Sequence, residues 1–292
     1  AGLAAGLYTS RAGLRTLILE RETMGGELMN RQLIENYPGF AAGIEGPELG
    51  SAMIEQATRF GAEIEFGEVI GIKSKAEFKI VKTVDQVRTC KGVIIASGAH
   101  PRKLGVPGEE EFAGKGVFYC ATCDGPEFAG KAVAVAGAGD SGVTEGLYLE
   151  RLGCRVTIIE LLPQPKASKV LLDRAQASPN IEIKCGTIIE AIVGDERVTA
   201  IDIQDAATGA RSRLAVEGVL VRIGLVPNTG FVRELLALAP TGQIPVNENM
   251  ETVIPGVFAA GDVRQHSPMQ MATAVGDGVT AAMAVGRYLA SL

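Results

Sequence analysis

Displaced by 140 positions, the chain lies over itself. AGLAAGLYTSRAGLRTLILE (Ala1 to Glu20) matches SGVTEGLYLERLGCRVTIIE (Ser141 to Glu160) at nine of twenty positions. Such a repeat constrains the fold more than composition does, because both copies must build the same supersecondary unit. The second copy follows KAVAVAGAGD, which reads as a buried strand over Ala132–Ala136 running into Gly137-Ala138-Gly139-Asp140-Ser141-Gly142. A helix, a strand over Arg155–Ile159 and an acid, Glu160, come next. This is G-x-G-x-x-G in its working context. The first glycine makes a tight turn, the second lets backbone approach a pyrophosphate, and the third lets helix pack on strand. The helix N-terminus offers N–H donors to the anion, and the acid accepts from a ribose diol.

By the repeat, Gly2 corresponds to Gly142 and Glu20 to Glu160. The chain therefore starts at the third glycine of a first fingerprint. A strand and two further glycines, on the order of ten residues, are expected to precede it. A protein made as written is expected to hold the first dinucleotide weakly, with a gap in a parallel sheet.

After Glu20, Gly25-Gly26 permits close backbone approach and Asn36-Tyr37-Pro38-Gly39 reads as a turn. The periodicity from Gly46 to Gly61 predicts a helix stopped by Gly61, followed by short strands in AEIEFGEVIGIK and EFKIVKTV. GVIIASGA is a buried-type strand ending at the small residues Ala96-Ser97-Gly98. His100-Pro101 and Val106-Pro107-Gly108 mark a linker. Beyond Glu160, IEIKCGTIIEAIV and RVTAIDIQD read as a hairpin-rich insertion, and GVLVRIGLVPNT ends the second unit. GVFAAGDV echoes GVIIASGA, so both belong to the first unit, which closes with a helix from about Ala272 to Leu289. The second domain is thus inserted into the first: residues 1–102 with 228–292, and 103–227.

Chemistry concentrates in GVFYCATCDGPEFAGK. Cys120 and Cys123 can close a disulfide ring with Asp124 beside it as a proton donor. The same spacing serves half of a zinc site or a purely structural disulfide. A zinc site needs a second ligand pair, and Cys90, Cys154, Cys185, His100 and His266 have no such spacing. A net charge of −6 argues against nucleic acid as partner. No apolar run approaches the eighteen or so residues that span a bilayer, and the start lacks a basic segment before an apolar one. With one close cysteine pair among five cysteines, the protein is expected to be cytoplasmic.

Together GGEL, IENYPGF, ASGA, CATCDG, GAGDSG, IGLVPNT, GVFAAGD and the final GDG-containing helix resemble the low-molecular-weight thioredoxin reductase family over essentially the whole chain. The resemblance implies an α/β fold of two Rossmann-like, three-layer ββα dinucleotide-binding domains, FAD in the first and a pyridine nucleotide in the second, and a homodimer. It implies that Gly2 and Glu20 lie near the FAD pyrophosphate and adenosine ribose. Gly25, Gly26 and Asn36 would run along the dinucleotide, Ala96 and Gly98 by the turn, Asp262 at the ribityl or pyrophosphate region, and Gln270 with Met271 at the isoalloxazine. It further implies that Cys123 is the flavin-proximal thiol, that Cys120 attacks the partner, that Asp124 moves protons, and that the inserted domain rotates about linkers near Lys103 and Pro227. Two departures are Met269-Gln270-Met271 in place of Arg-Gln-Ala, and Glu27 in place of Gln.

IIELLPQPKASKVLLDR lacks the His-Arg-Arg cluster that receives the NADPH 2′-phosphate and is similar to the flavoprotein subunit of alkyl hydroperoxide reductase. Glu160 repels a 2′-phosphate, and no arginine lies between Arg155 and Arg174, so NADH is expected over NADPH. The expected partner is a thioredoxin-like or peroxiredoxin-linked protein disulfide. Ferredoxin as donor, or a non-catalytic flavin- or nucleotide-binding module, are the competing readings.

Overall fold

The computed structural model describes residues 1–31 and 33–292. Its helices are α1 (Gly2–Arg11), α2 (Gly46–Arg59), α3 (Ala121–Asp124), α4 (Asp140–Arg151), α5 (Lys169–Ala177) and α6 (Met271–Ala290). The chain divides into two units, Ala1–His100 with Val226–Leu292, and Pro101–Leu225.

In the second unit five parallel strands are ordered Ile181–Lys184, Arg155–Ile159, Ala132–Ala136, Gly218–Val221, Val117–Phe118. Their side chains alternate between two cores, as strand geometry requires. Val133, Val135, Val156, Ile158 and Leu220 pack against Val143, Leu147 and Leu149 of α4 and Ala175 of α5. Ala134, Ala136, Ile159, Val219 and Val221 face Ile189, Ile192, Ile201 and Ile203 of an antiparallel sheet formed by Thr187–Gly194, Val198–Asp205 and Arg211–Ala215. The result is helices, parallel sheet and antiparallel sheet in three layers.

The strand Ile181–Lys184 corrects the sequence reading. It pairs in parallel with Arg155–Ile159 (Val156↔Ile181) instead of joining the hairpins, and the chain turns away at Gly186 with φ +62°. Two edge strands, Val87–Cys90 and Arg211–Ala215, had no clear signal. Both are short and largely polar, VRTC and RSRLA, so their residues lack the apolar alternation that marks a half-buried strand.

The first unit repeats the plan. Leu17–Glu20 pairs in parallel with Glu63–Phe66, and Val93–Ile95 with Val257–Ala259, the two segments whose sequences echo one another. Val257 and Ala259 join Ile72, Val232 and Ile244 in one core, while Phe258 and Ala260 turn to Ala281, Ala284 and Val285 of α6. Val69–Lys75, Phe78–Thr83 and Val87–Cys90 form the antiparallel sheet. The repeat is structural as well: α1 ends at Arg11 and α4 at Arg151, with Gly13 (φ +76°) and Gly153 (φ +83°) reversing the chain after each. No helix among the described residues is long and apolar enough to cross a membrane.

Candidate active site

The glycine-rich turn between the strand Ala132–Ala136 and α4 is built to keep side chains out. A Cβ on Gly137 (φ +105°) would lie 2.3 Å from the Arg222 carbonyl oxygen, and one on Gly142 would lie 2.0 Å from that of Gly137. Gly139, the residue before α4, is different: a Cβ there would meet no protein atom within 4 Å. Nothing in the chain itself demands glycine at that position, which is what a loop shaped for close approach of a pyrophosphate looks like. Glu160 closes the turn from the next strand. Its Oε2 accepts the Ala138 N–H at 2.9 Å and its Oε1 accepts the Leu162 N–H at 3.0 Å. Asp140 Oδ1 accepts the Ser168 N–H at 2.6 Å, and the N–H groups of Lys166 and Ala167 donate to Ala138 O. The segment after Glu160 is thereby tied to the turn. In the first unit Glu20 makes the equivalent local bond, accepting the Glu22 N–H at 3.1 Å.

Cys120 and Cys123 form a disulfide with Cα atoms 5.4 Å apart. Cys120 is half-buried and caps α3, and its Sγ accepts the Cys123 N–H at 3.1 Å. Phe118 before the turn stacks on Phe128 after it, centroids 4.7 Å apart, and Gly218 gives that ring room: a Cβ there would lie 2.7 Å from Phe128. Partial desolvation and the nearby Glu127 carboxylate push the Asp124 carboxyl above its ordinary range. Cys154 is buried and donates its S–H to Phe128 O at 2.9 Å, a packing role.

In the first unit Asn36 and Gln270, 234 residues apart in sequence, meet at 3.1 Å, Asn36 Nδ2 donating to Gln270 Oε1. Met271 is the first residue of α6. Gly25 (φ +101°) and Gly26 (φ +62°) turn the chain into a short 3-10 helix, and a Cβ on Gly2 would lie 3.6 Å from Ala96. A Cβ on Gly26 or Gly98 would meet no protein atom within 4 Å, so this face, too, is open to close approach. Burial pushes the Asp262 carboxyl above its ordinary range, and Ser267 Oγ lies 3.5 Å from its Oδ1.

The family described as pyridine nucleotide-disulphide oxidoreductase matches residues 1–278. The thioredoxin reductase of Bacillus subtilis is 41% identical over all of this chain and 92% of its own length. The crystal structure of Lactococcus lactis thioredoxin reductase superposes with a TM-score of 0.97 at 38% identity, covering 100% of this chain and 96% of that one. A ferredoxin-flavin thioredoxin reductase from Clostridium acetobutylicum is more distant, with a TM-score of 0.53 and 26% identity over 99% and 94%.

The chain belongs to the thioredoxin reductase family. It is a flavoprotein disulfide reductase, with FAD and a pyridine nucleotide as cofactors. The open backbone at Gly26, Gly98 and Gly139 leaves room for groups of this kind to approach.

Several polar residues around these sites escaped the sequence reading. Arg264 grips Asp277 through both carboxylate oxygens, at 2.6 and 3.0 Å, and Asp277 also accepts the Gly261 N–H at 3.1 Å, fixing the turn that presents Asp262. Glu109, 1% exposed, accepts the N–H groups of Leu104 and Gly105 and the Tyr119 hydroxyl. Burial and that carboxylate raise the Tyr119 phenol well above its usual range. GDV and GDG gave no hint that they touch, because twelve residues of loop and helix separate Arg264 from Asp277. Removing one member strands a buried charge, so Asp277→Ala is expected to cost about 3–5 kcal/mol in denaturant unfolding. A loss under 1 kcal/mol would refute that role.

Proposed function

We propose that this enzyme carries electrons from NADH, through FAD, to the Cys120–Cys123 disulfide and on to the disulfide of a thioredoxin-like protein. The observation that carries the reading is the disulfide itself, capping a helical turn in the same unit as a glycine-rich turn closed by Glu160. FAD, when bound, supplies the two-electron chemistry that joins nicotinamide oxidation to disulfide reduction. Gly2, Glu20, Gly25, Gly26, Asn36, Ala96, Gly98, Asp262, Gln270 and Met271 would hold it. Gly137, Gly139, Asp140, Ser141, Gly142 and Glu160 would hold the pyridine nucleotide.

In the dithiol form, the Cys123 N–H aimed at Cys120 Sγ favours the Cys120 thiolate, so Cys120 is the attacking sulfur. It opens the partner disulfide to a mixed disulfide and expels one partner thiolate. Cys123 then attacks the Cys120 sulfur, restoring the disulfide and releasing the second thiolate. Two electrons and two protons reach the partner. Asp124, whose pKa is raised by partial desolvation and by Glu127, stays protonated further toward neutrality than an ordinary carboxyl and holds a proton next to Cys123.

The choice of NADH rests on Glu160. A 2′-phosphate placed beside this carboxylate finds no arginine in the segment 161–168, whose one cation is Lys166. Anaerobic mixing with NADH, NADPH and reduced ferredoxin in turn, with the flavin band as readout, tests the donor. Rapid bleaching by NADH is expected. Bleaching by ferredoxin alone would replace this reading with the donor named for the Clostridium relative. Glu160→Gln is expected to weaken NADH binding by ~1.5–3 kcal/mol, the worth of a charge-assisted hydrogen bond, and to narrow the preference over NADPH. Unchanged KM values for both nucleotides would count against the assignment.

A further inference from the structure

The backbone on the far side of Cys120 meets a buried ion pair that the electron path does not use. Glu145, on the second turn of α4, is 6% exposed, and its Oε2 accepts the N–H of Ala121, the residue after Cys120, at 3.1 Å. Its other oxygen is paired with Arg222, whose side chain is also 6% exposed and whose Nε, among the described residues, has no hydrogen-bond acceptor. Arg222 is anchored beneath the nucleotide turn: its N–H donates to Ala136 O at 2.8 Å, and its carbonyl fills the space a Cβ on Gly137 would take. A neutral side chain at position 145 could accept the Ala121 N–H equally well. Desolvating two charges offsets most of what their attraction contributes, so stability alone does not account for the pair. Its electrostatic consequence is specific, because a carboxylate paired with one guanidinium is fixed one peptide from Cys120 in a poorly screened interior.

We propose that Glu145 and Arg222 are a positioning pair that sets the acidity of the Cys120 thiol in the reduced enzyme. Glu145 holds the Ala121 end of the redox turn, and Arg222 cancels the charge that Glu145 brings there. Other charged or titratable groups lie on the elements around the redox turn: Asp124 on α3 and Glu127 on the turn that follows it, Tyr119 next to Cys120 with Glu109 bonded to it, and Asp140 at the start of α4. These form a constant background when only the pair is changed. The proposal deepens the reading in which Cys120 is the attacking thiol.

The test is the pH dependence of iodoacetamide alkylation of Cys120 in FAD-loaded Cys123→Ser protein, read by peptide mass spectrometry. It needs neither donor nor partner, so its outcome is separate from that of the donor and partner assignments. In that background Glu145→Gln leaves Arg222 uncompensated and is expected to lower the Cys120 pKa by about one unit, whereas Arg222→Met leaves the carboxylate uncompensated and raises it by about one unit, the usual size for a charge within a few ångströms. The corresponding alkylation rates below the pKa change about tenfold in opposite senses. Glu145→Gln with Arg222→Met removes both charges and returns the pKa close to that of the parent. A merely structural pair lowers thermal stability in both single variants without signed shifts. Absent shifts, shifts of one sign, or a single-variant shift that persists in the double variant overturn the proposal. If one single variant fails to fold, by circular dichroism, the other single and the double still decide by the same criteria.

Discussion

Cys123→Ser is expected to abolish turnover of a protein disulfide while the donor still bleaches the flavin band. The mixed disulfide between Cys120 and the partner forms as before, but its resolution requires a second sulfur placed to attack Cys120, and the Cys120–Cys123 bond shows that Cys123 is the sulfur within reach. Cys154 is buried in the core of the same unit and already bonded to Phe128 O. The partner should therefore accumulate as a stoichiometric covalent complex, visible on a non-reducing gel and released by an external thiol. Cys120→Ser should give neither turnover nor complex. Continued turnover by Cys123→Ser, or a trapped complex with Cys120→Ser, would reverse or remove the roles assigned to the two sulfurs.

Gly142→Ala is expected to damage the nucleotide turn more than any neighbouring glycine change at a negative φ. The new methyl would sit 2.0 Å from Gly137 O and 3.0 Å from its carbonyl carbon, both backbone atoms that no rotamer change can move. Overpacking of this kind costs typically about 1–3 kcal/mol. For a chain of this size that is a fall in Tm of roughly 2–5 °C, with loss of pyridine-nucleotide binding. Gly139→Ala separates folding from ligand approach. With no protein atom within 4 Å of the added methyl and an extended backbone at φ −83°, ψ 178°, it should keep the parent Tm and lose nucleotide affinity only. Calorimetry and nucleotide titration of the two variants provide the comparison. Equal thermal losses would mean that the open face at Gly139 is not a ligand face.

Local signals were legible where local physics decides the structure. The strand Ala132–Ala136, the strand Arg155–Ile159 and the stop of α2 near Gly61 all follow from side-chain period and from glycines that reverse the chain. α6 runs from Met271 to Ala290, one residue beyond the expected helix at each end. Ile181–Lys184 was misassigned because IEIK has the same pattern whether its neighbour is a hairpin partner or a parallel strand. The neighbour is settled by tertiary pairing with Arg155–Ile159.

By itself the sequence determined a duplicated βαβ plan, the glycine-rich turn with its acid, and a cysteine pair at disulfide spacing. Each is a pattern over a few consecutive residues, where backbone conformation, strand period and ring closure act directly. Only the tertiary structure decided which distant side chains share a site: Asn36 with Gln270, Arg264 with Asp277, Glu109 with Tyr119, and Glu145 with both Arg222 and the Ala121 N–H. Hydrogen bonds and ion pairs of this kind have no sequence period. A glutamate on a helix reads as a solvated face until the packing of α4 against the redox turn removes water from it and brings the Ala121 N–H and the Arg222 guanidinium to it.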